Sequence, residues 1–221
     1  MSAREEILER IRRATADIRE KDPVRDVPVD WAYGRPTPVG DVLDTFVENI
    51  EDYKARIVRT GADGTGRAIV EALTELGAKS VLVPSGVQDT WVAALEAGGF
   101  TVVRDEPVLS HAELNEVDAV LTGARVAAAE TGTICLDHDD DQGRRALTLV
   151  PDRHVCVVRE DQVVSDIPEA VARLRPAVEA RRPITWISGG SATSDIELAR
   201  VEGVHGPRNL FVVLEAQPSS R

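Results

Sequence analysis

Apolar positions recur in two rhythms along this chain, and the change of rhythm divides it. Ile7, Leu8, Ile11, Ala14 and Ile18 fall three and four residues apart between Ala3 and Glu20, with charge on the other faces. That spacing predicts an amphipathic helix. The stripe is then broken by Pro23, Pro28, Pro36 and Pro38, with Gly34, Gly40, Trp31 and Tyr33 among them. Such a stretch predicts an extended arm. Its aromatics need a surface, either the chain's own body or a second copy in a homo-oligomer. Residues 1–40 therefore read as a helix with a proline-rich arm, and residues 41–221 as a single α/β domain.

From Asp41 the pattern is regular. Helices are predicted over Val42 to Lys54, Thr65 to Leu76 and Val87 to Ala97, the second closed by Gly77 and the third by Gly98 and Gly99. Short β-branched runs lie between and after them, at Arg56 to Arg59, Ser80 to Pro84, Phe100 to Arg104 and Val117 to Leu121. Strands alternating with helices of this length predict an α/β fold, a mostly parallel sheet flanked by helices. In the second half, strands are predicted at Thr133 to Leu136, Ala146 to Val150 and His154 to Arg159, then a helix over Pro168 to Ala180. Strand Ile184 to Ser188, a short helix from Ser194, and strand Asn209 to Leu214 complete the sheet.

Bulk properties narrow the function classes. The net charge is −12 and the arginine pairs sit among acidic neighbours, which argues against nucleic-acid binding. No apolar run approaches a membrane span, and the N-terminus lacks a signal-peptide core. Cys135 and Cys156 each lie inside a strand-like run, so no disulfide framework is expected and a cytoplasmic location fits. Two unclustered cysteines also cannot hold an iron–sulfur cluster, which usually takes four. No cofactor is expected in this chain.

Three loops carry candidate chemistry. In the first, Gly189, Gly190 and Ser191 precede Ser194, Asp195 and Glu197. Ser194 with Glu197 matches a capping box, and a glycine loop entering a helix leaves N–H groups for an anion. The alternative is an ordinary connection whose acids complement the helix dipole. His205, before Gly206 and Pro207, either braces a turn or titrates near neutrality.

In the second, Glu130, Thr131, Gly132 and Thr133 follow a run of small residues. A carboxylate entering a packed region is either held by backbone donors or used in proton transfer. The third, Thr60 to Gly66, lacks the spacing of a P-loop or a dinucleotide fingerprint and reads as a plain turn. The run Asp137 to Asp141, with His138, lacks the spacing of a calcium loop and reads as a solvated loop. No metal site is expected.

Longer strings add what spacing cannot. Glu130 to Thr133, Gln142 to Leu149, Pro151 to His154, Ser194 to Glu197 and Gly203 to Pro207, in that order, resemble the lactate-utilisation protein C family with its LUD domain. The resemblance runs from about Val39 to Leu214. It implies a fold similar to the glucosamine-phosphate isomerase, ribose-phosphate isomerase and CoA-transferase group. It also implies membership of a three-protein system that oxidises L-lactate to pyruvate, the two partners being iron–sulfur proteins.

On that footing the chain is an accessory or substrate-binding subunit. Gly189, Gly190, Ser191, Ser194, Asp195, Glu197, Thr131, Gly132 and Thr133 would hold a small carboxylate ligand. Glu130 and His205 are the catalytic candidates. The two loops are expected to converge at the carboxyl ends of the parallel strands, where ligands bind in open α/β sheets. The alternatives are an independent isomerase- or CoA-transferase-like enzyme and a non-catalytic regulatory or assembly protein.

Overall fold

The computed structural model describes residues 2–19, 22, 25, 36–193, 201–203 and 205–217. The chain divides into two compact units, residues 1–35 and 36–221. In the first, α1 spans Ala3–Ala14. The Ser2 hydroxyl accepts from the Glu5 N–H while the Glu5 carboxylate accepts from the Ser2 N–H, a reciprocal cap. The helix stops earlier than the apolar stripe predicts, and Ile7 and Ile11 are exposed. Trp31, Tyr33 and most of the proline arm lie outside the described residues.

In the second unit a six-stranded sheet forms the centre. Its strands are β1 (Arg56–Thr60), β2 (Ser80–Leu82), β3 (Thr101–Val103), β4 (Ala119–Thr122), β7 (Arg153–Arg159) and β12 (Asn209–Glu215). The order is β1-β12-β7-β4-β2-β3, and every neighbouring pair is parallel. Parallel strands need crossovers and covering on both faces, which explains runs as apolar as Val155 to Val158. Helices α3 (Thr65–Glu75) and α4 (Asp89–Ala97) cover one face through Ile69, Leu73, Trp91 and Leu95. On the other face, α2 (Val42–Asp52) packs through Phe46 and Ile50. Beside it, α5 (His111–Asn115) packs Leu114 against Leu82 and Val120.

The sequence pattern implies one sheet, whereas the chain builds a second. Four strands, β5 (Val126–Ala128), β6 (Thr133–Leu136), β8 (Val163–Val164) and β9 (Thr185–Ile187), pair in the order β8-β5-β6-β9. Their alternate residues face opposite ways. Ala127, Ile134 and Leu136 meet Cys156, Val158 and Val212 of the large sheet. Val126, Ala128 and Cys135 meet Ala170 and Leu174 of α6 (Ile167–Glu179). The layers are therefore α3 and α4, the large sheet, the small sheet together with α2 and α5 on the large sheet's opposite face, and α6.

One further expectation is corrected. Ala146 to Val150 is not a strand, because Arg145–Thr148 forms a 3-10 turn. Arg144 pairs through two bonds with Asp105, and Leu147 drops into the cluster around Leu82, so the run is pinned as a turn rather than a sheet edge. The short helix expected from Ser194 falls on residues 194–200, outside the described residues; on either side of them β10 (Ala192–Thr193) pairs antiparallel with β11 (Val201–Glu202). Among the described residues no helix is long and apolar enough to cross a membrane.

Candidate functional site

The two candidate loops meet through hydroxyl groups. Antiparallel pairing of β6 with β9 sets Ile134 opposite Ile187, so Thr133 and Ser188 end up facing each other. Their hydroxyl oxygens are 2.7 Å apart, and Thr131 extends the chain at 2.8 Å from Thr133. From Ser188 the chain threads between two close walls. A Cβ on Gly189 would lie 2.7 Å from the Tyr53 carbonyl oxygen, and its φ of +105° also favours glycine. Gly190 lies against the Arg208 carbonyl. The Ser191 N–H then donates to Pro207 O at 2.7 Å, and the Ser191 hydroxyl accepts from the His205 N–H at 3.0 Å.

These contacts enclose a pocket of about 260 Å³. Its walls are Thr185 to Ala192, His205 to Pro207, Thr148, Leu149, Leu210 and His154. Thr133 reaches the wall only through Ser188. The pocket sits at the entry to β7 and β12, where His154 and Leu210 are each the second strand residue. It therefore lies at the amino ends of the parallel strands, not at the carboxyl ends expected from the sheet class. The small sheet causes this, because β9 ends beside the chain entering β12.

The other candidates are placed as follows. Glu130 is exposed and does not line the pocket. Its N–H donates to Ser165 O, and its carbonyl accepts from Asn49 Nδ2. Gly132 is buried against α2, near Asn49. His205 lines the pocket and is exposed. Ser194, Asp195 and Glu197, and hence the predicted capping box, lie outside the described residues. Among the described residues the N–H groups of Gly189 and Gly190 have no hydrogen-bond partner, and both residues line the pocket. Such N–H groups can donate to an anion without a helix terminus.

The run Asp137 to Asp141 is not a solvated loop. Asp137 is fully buried and pairs with Arg182 at 2.8 Å and Arg125 at 3.7 Å. Asp139 holds the other end of the Arg182 guanidinium at 2.8 Å. The loop is tied over the carboxyl ends of β2 and β4, where the Gly86 and Gly123 N–H groups donate to Asp140 O and Asp141 O. Among the described residues no cluster of acids, histidines and cysteines has the geometry of a metal site.

His154 is the site residue that the loop candidates left out. It is 1% exposed, its Nε2 lies 2.7 Å from Thr122 Oγ1, and burial pushes its pKa down to about 4. The ring is therefore neutral at physiological pH. A signal was present in the sequence, since His154 and Cys156 are the two non-aliphatic positions in the run from His154 to Val158 and share one strand face.

Comparison with known proteins follows the same chain boundaries. The family model described as LUD domain matches residues 43–214. Lactate utilization protein C of Deinococcus radiodurans is 50% identical over 213 residues, which is 96% of this chain and 95% of that protein. Lactate utilization protein C of Bacillus pumilus is 26% identical, covering 97% of this chain and 98% of its own. A crystal structure of a DUF162 family protein from Deinococcus radiodurans superposes with a TM-score of 0.70 at 47% identity, covering 80% of this chain and 99% of that one. The matched region holds both sheets but for Glu215 at the end of β12, and every described wall of the pocket, and the chain belongs to the LUD domain family.

Proposed function

We propose that this protein serves lactate utilisation by holding a small carboxylate in the pocket between β9 and the chain entering β12. The names of its relatives supply the metabolic setting. The observation that carries the proposal is the pocket's lining, where the backbone donors of Gly189 and Gly190 have no partner among the described residues and Ser188 and Ser191 add hydroxyls. Donors of that kind match a carboxylate, and the volume suits a small metabolite rather than a dinucleotide.

In this proposal the protein is a subunit of a system that oxidises L-lactate to pyruvate, with two iron–sulfur proteins carrying the electrons onward. It has no cluster cysteines of its own, so electron transfer is assigned to the partners. A CoA-transferase role would use Glu130 as the acylated carboxylate, and Glu130 stands outside the pocket.

The test is genetic. A strain lacking this gene and any paralogue should fail to grow on L-lactate and recover with the wild-type gene. Normal growth of the deletion strain overturns the proposal. Affinity purification under anaerobic conditions should recover two cysteine-rich partners, and an active lone chain would refute the subunit assignment.

A further inference from the structure

A line of four buried polar groups ends in the pocket. Thr122 lies on β4 beside Cys156 of β7, their Cα positions being direct partners in the ladder, and His154 is two residues before Cys156 on the same face. Thr122 and Cys156 are fully buried and His154 nearly so. Cys156 Sγ lies 3.5 Å from Gly123 O, Thr122 Oγ1 lies 3.7 Å from Cys156 Sγ, and His154 Nε2 lies 2.7 Å from Thr122 Oγ1.

The direction of these bonds follows from what each group can do. A carbonyl only accepts, so the Cys156 thiol hydrogen goes to Gly123 O. Burial keeps that hydrogen in place, pushing the thiol pKa up to about 12. The sulfur is then free to accept, and the Thr122 hydroxyl lies within reach to donate to it. With its hydrogen on that side, Thr122 Oγ1 offers the ring a lone pair, and in this arrangement His154 Nε2 carries the ring proton and donates. In a neutral imidazole the other nitrogen is then a bare acceptor. Nδ1 has no partner among the described residues, and the ring lines the pocket.

We infer that His154 Nδ1 is a fixed hydrogen-bond acceptor that selects a 2-hydroxy carboxylate over the corresponding 2-oxo carboxylate. The inference rests on the proposed carboxylate site and names the feature of the ligand that the site reads. A 2-hydroxyl donates to a lone pair, whereas a 2-oxo oxygen facing the same lone pair leaves two acceptors opposed. Gly189, Gly190 and Ser191 hold the carboxylate, which both acids share, so discrimination falls to His154. Thr122 and Cys156 act as positioning residues, because they fix the tautomer without touching the ligand.

The experiment combines nuclear magnetic resonance with calorimetry on the full chain. In ¹⁵N-histidine-labelled protein, the His154 signals, identified by their loss in His154→Gln, should show a protonated Nε2 and an unprotonated Nδ1. L-lactate should bind roughly tenfold more tightly than pyruvate and shift Nδ1, as expected for one hydrogen bond gained against an unsatisfied pair. Thr122→Val should bring the two affinities together while both acids still bind. Thr122→Ser, which keeps the hydroxyl, should restore the preference and so separate the donor chain from simple packing. An Nδ1-protonated ring, or equal affinities with the expected tautomer, overturns the inference and leaves the carboxylate site standing. Binding of neither acid to the wild-type protein overturns the carboxylate site and this inference with it.

Discussion

Arg182 Nη2 lies 2.8 Å from Asp137 Oδ2, joining the turn after α6 to the end of β6 around a carboxylate with no solvent exposure. The pair is incomplete, because Asp137 Oδ1 and Arg182 Nε are buried without a hydrogen-bond partner among the described residues. An ion pair of this kind is worth little against an apolar substitute, but breaking one side is severe. Arg182→Leu leaves the Asp137 charge buried with only Arg125, at 3.7 Å, to offset it. A loss of about 3 kcal/mol is expected in urea unfolding. Adding Asp137→Leu should recover part of that loss, and a double variant no better than the single would refute the account.

His154 makes stability depend on pH. Unfolded, the ring protonates near its ordinary value of 6.5, and folded near 4. Between those values the unfolded chain binds a proton that the native state refuses, so stability falls as pH drops through that window. The full loss is about 3 kcal/mol. The upper part of that window, above about pH 5, lies clear of the range in which Asp105, Asp118 and Asp166, all held low in the native state, take up protons on unfolding. His154→Gln should flatten the stability profile between pH 6.5 and 4, and an unchanged slope would show that another group carries it.

Gly132 should resist substitution. Its φ is +55°, and an added Cβ would sit 2.8 Å from the backbone carbon of Asn49. Gly132→Ala forces either the turn or α2 to move. We expect ~2 kcal/mol of destabilisation in chemical denaturation. It should also disturb the Thr131, Thr133 and Ser188 hydroxyl chain, which begins in the same turn.

Glu130→Gln should be silent. The side chain is exposed, and only its backbone is held, by Ser165 and Asn49. Stability should stay within about 0.5 kcal/mol of wild type, and growth on L-lactate should be fully complemented. Loss of complementation would place Glu130 in the chemistry and favour the transferase alternative.

What the sequence made legible follows periodicity. α2, α3 and α4 and the strands between them announce themselves by apolar spacing and by glycine stops such as Gly77. The small sheet was hidden for a physical reason. β5 reads Val126, Ala127, Ala128, a run of small residues buried on both faces, and β8 has only two residues, so neither shows an alternating pattern. Without that sheet the position of β9 cannot be inferred, and the pocket is assigned to the wrong edge of the large sheet. The loops were legible as candidates because glycine and histidine stand out in sequence. His154 was not, because a histidine in an apolar strand looks like core until its neighbours are known.

The described lining of the pocket contains no lysine or arginine. Among the described residues an anion is therefore met there without a guanidinium or ammonium group, on a molecule carrying a net charge of −12. Its approach runs against the surrounding field, whereas an arginine-clamped site would draw it in. Dissolved salt shields that opposition while leaving short bonds inside the pocket largely untouched. Raising ionic strength with an inert salt should accordingly tighten occupancy by a small carboxylate and speed its arrival, the reverse of the behaviour of a guanidinium-gated binder.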